Sequence, residues 1–190
     1  MGKTIAAEKL TNEKFLNLYK VHAETESGDQ IGYLVASRAK EVDGLKAVNH
    51  DDKVDAVAIC ALTEDDKMVL IRQYRYAIGD YIYELPAGLI DDGENVYEAA
   101  KRELFEETGL TVGKYMTLPI GEKGGYSSAG MTDETCTLVF TRATGEISDK
   151  YKEKTEEIEV VLVDKNEARR ILTEEKLCIR LALILMWYTA

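Results

Sequence analysis

Cysteine is scarce in this sequence of 190 residues: Cys60, Cys136 and Cys178 are its three cysteines, and they lie far apart. An odd number of widely separated cysteines fits neither a disulfide framework nor a paired-cysteine metal site. We therefore expect three reduced thiols, as is usual in a cytoplasmic protein.

Long apolar runs are also lacking. The run at 181–188 is far shorter than the ~20 residues that a membrane-spanning helix needs, and the first residues lack the apolar stretch of a secretory signal peptide. No internal repeat or low-complexity segment stands out. We expect a cytoplasmic protein without a membrane partner.

Positive charge is in deficit, with 24 Lys and Arg against 35 Asp and Glu and a formal net charge of -11. An acidic surface repels the phosphates of nucleic acids, so non-specific DNA or RNA binding is not expected. A small phosphorylated ligand would need a local positive charge, such as a metal ion held by carboxylates.

The composition, 45% hydrophobic and 31% charged, is that of an ordinary globular protein. Strands are predicted at 15–21 and 31–36, separated by a turn signal at 27–29. This N-terminal β segment, residues 1–48, is too small to fold alone and must pack on the main domain or on a second subunit.

The main domain, residues 49–190, alternates predicted strands and helices. This pattern predicts an α+β sandwich in which helices pack on a mixed sheet. Strands are predicted at 54–62, 68–74, 81–85, 112–120, 135–142 and 158–163, and helices at 95–108, from Asp164 or Asn166 to 172, and at 175–188.

Three carboxylates in the first of these helices, Glu103, Glu106 and Glu107, have i, i+3 and i+4 spacing and project from one side. A solvated acidic face is the usual interpretation of such a run. At 100° per residue, however, Glu103 and Glu107 fall within ~20° of Val96. The carboxylates therefore extend the apolar stripe of the helix.

Clustered, partly desolvated carboxylates repel one another unless they are protonated or neutralised. Oxygen ligands favour Mg²⁺, Mn²⁺ or Ca²⁺ over zinc. The preceding loop, 87–94, contains two glycines and can offer a carbonyl to a metal and an amide to a phosphate.

The segment resembles a complete Nudix box: Gly88, five residues, Glu94, seven residues, then Arg-Glu-Leu-Phe-Glu-Glu-Thr-Gly-Leu at 102–110. Every defined position of the family signature is filled. The chain is thereby identified as a member of the Nudix family. The resemblance implies a Nudix-type α/β/α sandwich and Mg²⁺-dependent hydrolysis of a diphosphate linked to a nucleoside.

The resemblance also implies roles for single residues. Glu103, Glu106 and Glu107 would hold Mg²⁺, or Mn²⁺ as a substitute, with the Ala87 carbonyl as a further ligand. An orienting salt bridge from Arg102 would go to Glu106 or Glu98, both at i, i+4 spacing, unless it is a surface pair. The structural positions of the box are Gly88, Glu94, Arg102 and Gly109.

Flanking residues are similar to the ADP-ribose pyrophosphatase branch, through Gln-Tyr-Arg at 73–75 and Glu-Leu-Pro-Ala-Gly at 84–88. The resemblance implies that Arg75 contacts the diphosphate, which suits a bidentate guanidinium, unless it is an exposed arginine at a strand end. Glu84 and Leu89 join it as predicted substrate contacts. ADP-ribose would give AMP and ribose 5-phosphate.

Two further loops match the branch with departures. At 127–134 Ala129 stands where the branch has proline, which predicts a less rigid loop. Before the last strand, Glu156 matches an extra metal-binding glutamate, and Lys154 occupies a position that is often acidic. Glu153 is therefore a candidate base or part of a solvated acidic loop, and the predicted catalytic residues are Glu106, Glu107, Glu153 and Glu156.

The N-terminal segment resembles a piece that relatives exchange in homodimers. Arg38 would then reach a substrate across the dimer, and Tyr33, with Phe15 or Tyr19, would stack on adenine, unless these aromatic residues belong to the core.

Alternative substrates are another nucleoside diphosphate sugar, a dinucleoside polyphosphate or an oxidised nucleotide. A non-catalytic nucleotide-metabolite-binding Nudix module is the alternative from another class, although all box glutamates are intact.

Overall fold

The structure is a computed structural model that describes residues 1–116, 123–152 and 156–190. Its helices are α1 (Lys46–Asn49), α2 (Val96–Thr108), α3 (Lys165–Glu174) and α4 (Ile179–Thr189). Its strands are β1 (Lys3–Lys9), β2 (Asn17–Glu24), β3 (Gln30–Ser37), β4 (Ala56–Leu62), β5 (Met68–Arg75), β6 (Asp80–Glu84), β7 (Ala87–Leu89), β8 (Thr111–Met116), β9 (Gly125–Tyr126), β10 (Thr135–Thr144) and β11 (Ile158–Val163).

The chain divides into two compact units. Unit 1 comprises residues 1–55 and 123–136, and unit 2 comprises residues 56–122 and 137–190. The domain boundary that we placed after residue 48 stays a prediction.

Unit 1 is built on an antiparallel sheet in the order β1-β2-β3. In β2 the side chains of Asn17, Tyr19 and Val21 are buried in alternation, as the two-residue period of a strand requires. β1 was not predicted, because its sequence is largely polar and its side chains are mostly exposed. The N-terminal β segment is thus three-stranded and not a simple hairpin.

Lys46 links several segments of unit 1 through hydrogen bonds. Its Nζ donates to the Lys53 carbonyl at 2.7 Å, to Asp55 Oδ2 at 2.6 Å and to Thr135 Oγ1 at 2.6 Å. A buried ammonium is tolerated when its hydrogen bonds are made and its charge is paired. This network ties α1 to the start of β10.

The sheet of unit 2 has the strand order β11-β5-β4-β10-β8, with β6 paired to β5 and β7 paired to β4. β4 is almost entirely apolar and buried, and α2 packs on it through Val96, Ala99, Ala100 and Leu104. The predicted α+β sandwich with a mixed sheet is confirmed.

Most predicted elements lie within a few residues of the observed ones. The predicted helix 95–108 is α2, and Asp164, one of two predicted caps, is the N-cap of α3. The last helix begins at Ile179 instead of 175. Part of the predicted strand 112–120 lies outside the described residues. No helix among the described residues is long and apolar enough to cross a membrane.

Candidate active site

Both ends of α2 are fixed by local hydrogen bonds. The Asn95 side chain accepts from the amides of Tyr97 and Glu98, and the Glu98 side chain accepts from the Asn95 amide, which completes a capping box. At the other end Gly109 has φ 76°, and its amide donates to the Phe105 carbonyl. The helix therefore holds its carboxylates in a defined register.

Two of these carboxylates are turned into unit 2, as the helical period predicted. Glu107 is 2% exposed, and its Oε2 accepts a hydrogen bond from the Ala87 amide at 3.0 Å. Burial raises the pKa of Glu107 well above its ordinary value, and the charges of Glu103 and Glu156 raise it further. Burial likewise raises the pKa of Glu103.

The Glu103 carboxylate lies directly against the backbone of Gly88, a residue of β7. A Cβ atom at position 88 would overlap that carboxylate. β7 was predicted as a loop, but it pairs with β4, where Val57 lies opposite Gly88. A larger residue at position 88 would displace the Glu103 carboxylate, because the backbone of β7 and this carboxylate approach each other closely.

Arg102 joins the loop before α2 to the helix itself. Its Nε and Nη2 donate to the two Glu94 oxygens at 2.9 and 2.8 Å, and Nη2 also donates to the Leu89 carbonyl at 2.9 Å. Its Nη1 lies 2.7 Å from Glu103 Oε1 and 3.2 Å from Glu106 Oε2.

Of the two partners predicted for Arg102, the structure therefore has Glu106. Glu98 is not its partner, because Glu98 serves in the capping box. The hydrogen bonds that Arg102 donates hold the pKa of Glu94 below its ordinary value. The hydrogen bonds that Arg102 makes to Glu94, Glu103 and Glu106 also raise its own pKa.

Arg75 and Glu84 form an ion pair between β5 and β6. Arg75 Nε donates to Glu84 Oε2 at 2.5 Å, and Glu84 is 8% exposed. The charge of Arg75 opposes the rise in the pKa of Glu107, so this pair belongs to the same side of unit 2 as the helix carboxylates. The guanidinium is half-exposed and can still meet an anionic ligand.

The donor chemistry of this side of unit 2 fits a hard divalent cation. Glu107 is buried and Glu103 is partly buried, and the pKa values of both are raised, so a positive charge beside them is favourable. Glu156 is close enough for its charge to act on both, whereas Glu153 lies outside the described residues. Among the residues that the structure describes, no three acidic, histidine or cysteine side chains are grouped as a finished metal site.

The predicted contacts of the N-terminal segment lie in unit 1. Arg38 Nε donates to Glu134 Oε2 at 3.0 Å, and Tyr33, half-exposed, donates its hydroxyl to the Gly130 carbonyl at 2.6 Å. Arg38 lines a cavity of about 190 Å³. Tyr19 is fully buried and donates its hydroxyl to the Ala39 carbonyl, so the suggestion that it stacks on adenine is corrected.

Comparison with known proteins places this geometry in context. The model of the NUDIX domain matches residues 52–181. The chain is 30% identical over 171 residues to the ADP-ribose pyrophosphatase of Bacillus subtilis, covering 90% of this chain and 82% of that protein. It is 54% identical over 58 residues to the ADP compounds hydrolase NudE of Escherichia coli, covering 30% of each chain.

The fold resembles that of a solved structure. The crystal structure of an ADP compounds hydrolase superimposes with a TM-score of 0.69 at 22% sequence identity, covering 98% of this chain and 92% of that chain. At this level of identity the likeness concerns the fold.

Proposed function

This chain belongs to the Nudix family of hydrolases, and from that premise we propose that it hydrolyses ADP-ribose with Mg²⁺ as its cofactor. One water is consumed, one P–O bond of the diphosphate is broken, and AMP and ribose 5-phosphate are formed. The coarser statement, a Nudix hydrolase, does not depend on this choice of substrate.

The observation that carries the proposal is that Glu107 is buried and Glu103 partly buried on α2, with Gly88 against the Glu103 carboxylate and the Ala87 amide against that of Glu107. Taking carboxylates out of water costs stability, and groups with raised pKa values are therefore found often at functional sites. Binding a cation that in turn binds a diphosphate is a function that would use these carboxylates.

We assign the cation to Glu103, Glu106, Glu107 and Glu156, with the Ala87 carbonyl as a further ligand. When bound, Mg²⁺ supplies neutralisation of the diphosphate charge and lowers the pKa of water. The protein itself orients these carboxylates through Arg102 and through the Ala87 amide. Glu153 and Glu156 are the candidate bases that would take the proton of the attacking water.

Arg75 is the proposed contact of the diphosphate. Glu84 holds its Nε at 2.5 Å, which leaves the two Nη groups of the guanidinium for phosphate oxygens. Leu89, whose side chain is exposed, is proposed to contact the substrate beside it.

The choice of ADP-ribose is supported by the names of two similar proteins, one an ADP-ribose pyrophosphatase and the other a hydrolase of ADP compounds. The Gln-Tyr-Arg motif at 73–75 also supports ADP-ribose as the substrate.

We further propose a cytoplasmic homodimer in which Arg38 and Tyr33 contact a substrate. Light scattering coupled to gel filtration would measure the dimer.

The function is tested by turnover of a substrate panel with Mg²⁺, coupled to a phosphatase that releases phosphate from the products. The panel contains ADP-ribose, ADP-glucose, GDP-mannose, a dinucleoside polyphosphate and 8-oxo-dGTP. We expect ADP-ribose to be cleaved fastest. A faster reaction with another compound would overturn the substrate assignment and leave the family chemistry standing.

Two variants make the panel specific to the site. Glu107→Gln should lower turnover at least about a hundredfold, because a direct cation ligand should matter more than a residue that only supports a ligand. Glu174→Gln, on the exposed face of α3, is the matched control and should leave turnover unchanged. Equal rates for the two variants would contradict the proposed cation site.

A further inference from the structure

Gln73 of β5 carries a buried hydrogen-bond acceptor that no described residue satisfies. The residue is 7% exposed, and its Oε1 has no hydrogen-bond partner among residues 1–116, 123–152 and 156–190. Buried polar atoms in native proteins are nearly always paired, with protein or with an ordered water. This oxygen therefore indicates a donor that the protein part of the site does not provide.

The strand register places Gln73 beside the Arg75–Glu84 ion pair. Gln73 lies opposite Ile82 of β6, and Ile71 lies opposite Glu84. Residues two apart on a strand share a face, so Arg75 must reach past Gln73 to meet Glu84. The side chain of Gln73 is thus next to the proposed diphosphate contact.

The same face of β5 is turned towards α2. Val69 belongs to the core cluster that contains Leu104 of α2, and the charge of Arg75 acts on Glu107. Gln73 stands between Val69 and Arg75 on this face. Along this face Gln73 therefore lies between the apolar core that Val69 shares with α2 and the Arg75–Glu84 ion pair.

In the part of the chain that the structure describes, none of the polar groups beside Gln73 donates to its Oε1. Glu84 and Glu107 are carboxylates, which only accept when ionised, and the Nε of Arg75 is already bound to Glu84. A water molecule brings two donor hydrogens, and a buried polar site with two or more partners is the kind of site that holds one.

We propose that Gln73 is a positioning residue that anchors a buried water between the Arg75–Glu84 pair and the Glu107 carboxylate. This inference rests on the proposed function and deepens the account of the same site. The water would fix the orientation of the proposed diphosphate contact and of a proposed cation ligand at once. Such supporting contacts determine how tightly a metal is held.

The test compares Gln73→Met, which keeps the shape of the side chain and removes its hydrogen bonding, with Thr141→Val as the control. Thr141 of β10 is also buried, and its hydroxyl donates to the backbone carbonyls of Lys114 in β8 and Arg142 in β10. Mn²⁺ affinity is measured by the electron paramagnetic resonance signal of the free ion. We expect about tenfold weaker binding for Gln73→Met and no change for Thr141→Val.

Unchanged Mn²⁺ affinity of folded Gln73→Met would overturn the inference. Should that variant not fold, a crystal structure of the unsubstituted protein decides. A water about 3 Å from Gln73 Oε1 and a carboxylate oxygen supports the inference, whereas an amide turned to donate to Glu84 overturns it. A protein that leaves ADP-ribose intact but shows the expected Mn²⁺ difference would refute the proposed substrate alone.

Discussion

α2 and α4, two helices of unit 2, depart from the usual distribution of polar and apolar residues in opposite directions. α2 turns the charged residue Glu107 into the interior, whereas α4 turns apolar side chains outward. Ile179 is 75% exposed, and Leu183, Met186 and Trp187 are more than half-exposed. Each helix is thus irregular on one face.

The physical cost of the two departures is unequal. An exposed apolar side chain costs little, because most of a protein surface is apolar in any case. A buried carboxylate loses its hydration and must be compensated by hydrogen bonds or by a cation. The buried face of α2 has such compensation in the Ala87 amide and in Arg102. The irregularity of α2 is therefore informative about chemistry, and that of α4 is not.

Glu107→Gln should have the largest effect, because it removes the buried charge that distinguishes α2 from α4. Turnover should fall at least about a hundredfold, as in the substrate panel. The metal-free protein should unfold at the same or a higher temperature, because a neutral amide replaces a buried carboxyl group with a raised pKa. Calorimetry measures this, and a large drop in unfolding temperature would show that Glu107 is a structural residue.

Gly88→Ala adds a methyl group to β7 at the point where β7 meets the same face of α2. The added Cβ meets the end of the Glu103 side chain, so this carboxylate must turn away from β7, at a cost of about 0.5–1.5 kcal/mol in the free energy of unfolding for a displaced rotamer. Denaturant titration gives this value, and turnover should fall with it. Gly125→Ala, where nothing lies within 4 Å of the added atom, is the control, and equal losses for both would contradict the overlap.

Asn95→Ala tests the framework of α2 without touching its carboxylates. Loss of the capping box should cost about 1 kcal/mol in the free energy of unfolding, while turnover per folded molecule stays near that of the parent. Urea titration and the coupled assay measure the two quantities. A loss of turnover as large as that of Glu107→Gln would mean that the cap sets the site geometry.

Leu183→Gln is the counterpart on α4 and should have the smallest effect. The side chain is exposed, so the change in unfolding free energy should stay within about 0.5 kcal/mol, with turnover unchanged. The same two assays apply. A marked loss of either quantity would show that the apolar face of α4 is covered by something in solution.

Local signals explain why α2 was predicted so closely. The Asn95 cap, the apolar period from Val96 and the terminal Gly109 all lie within the segment itself. The same period was sufficient to turn Glu103 and Glu107 inward. The side of a helix on which a residue lies follows from the segment alone, whereas the residues it meets there do not.

Features that depend on distant partners could not be predicted in this way. β7 is three residues long and becomes a strand by pairing with β4. Lys46, whose side chain is largely shielded from solvent, donates to Thr135 far along the chain, and nothing in the sequence around either residue indicates the pair. Gln73 belongs to the Gln-Tyr-Arg motif, but the sequence does not show that its oxygen is buried without a partner among the described residues.

The hydrogen bonds of Arg102 have a consequence for local unfolding. One guanidinium binds Leu89 at the end of β7, Glu94 in the loop, and Glu103 and Glu106 in the helix. The loop cannot detach without breaking several of these bonds together, and the end of α2 that carries the carboxylates is anchored by the same group. We therefore expect the loop and the helix to unfold locally together, as one cooperative unit.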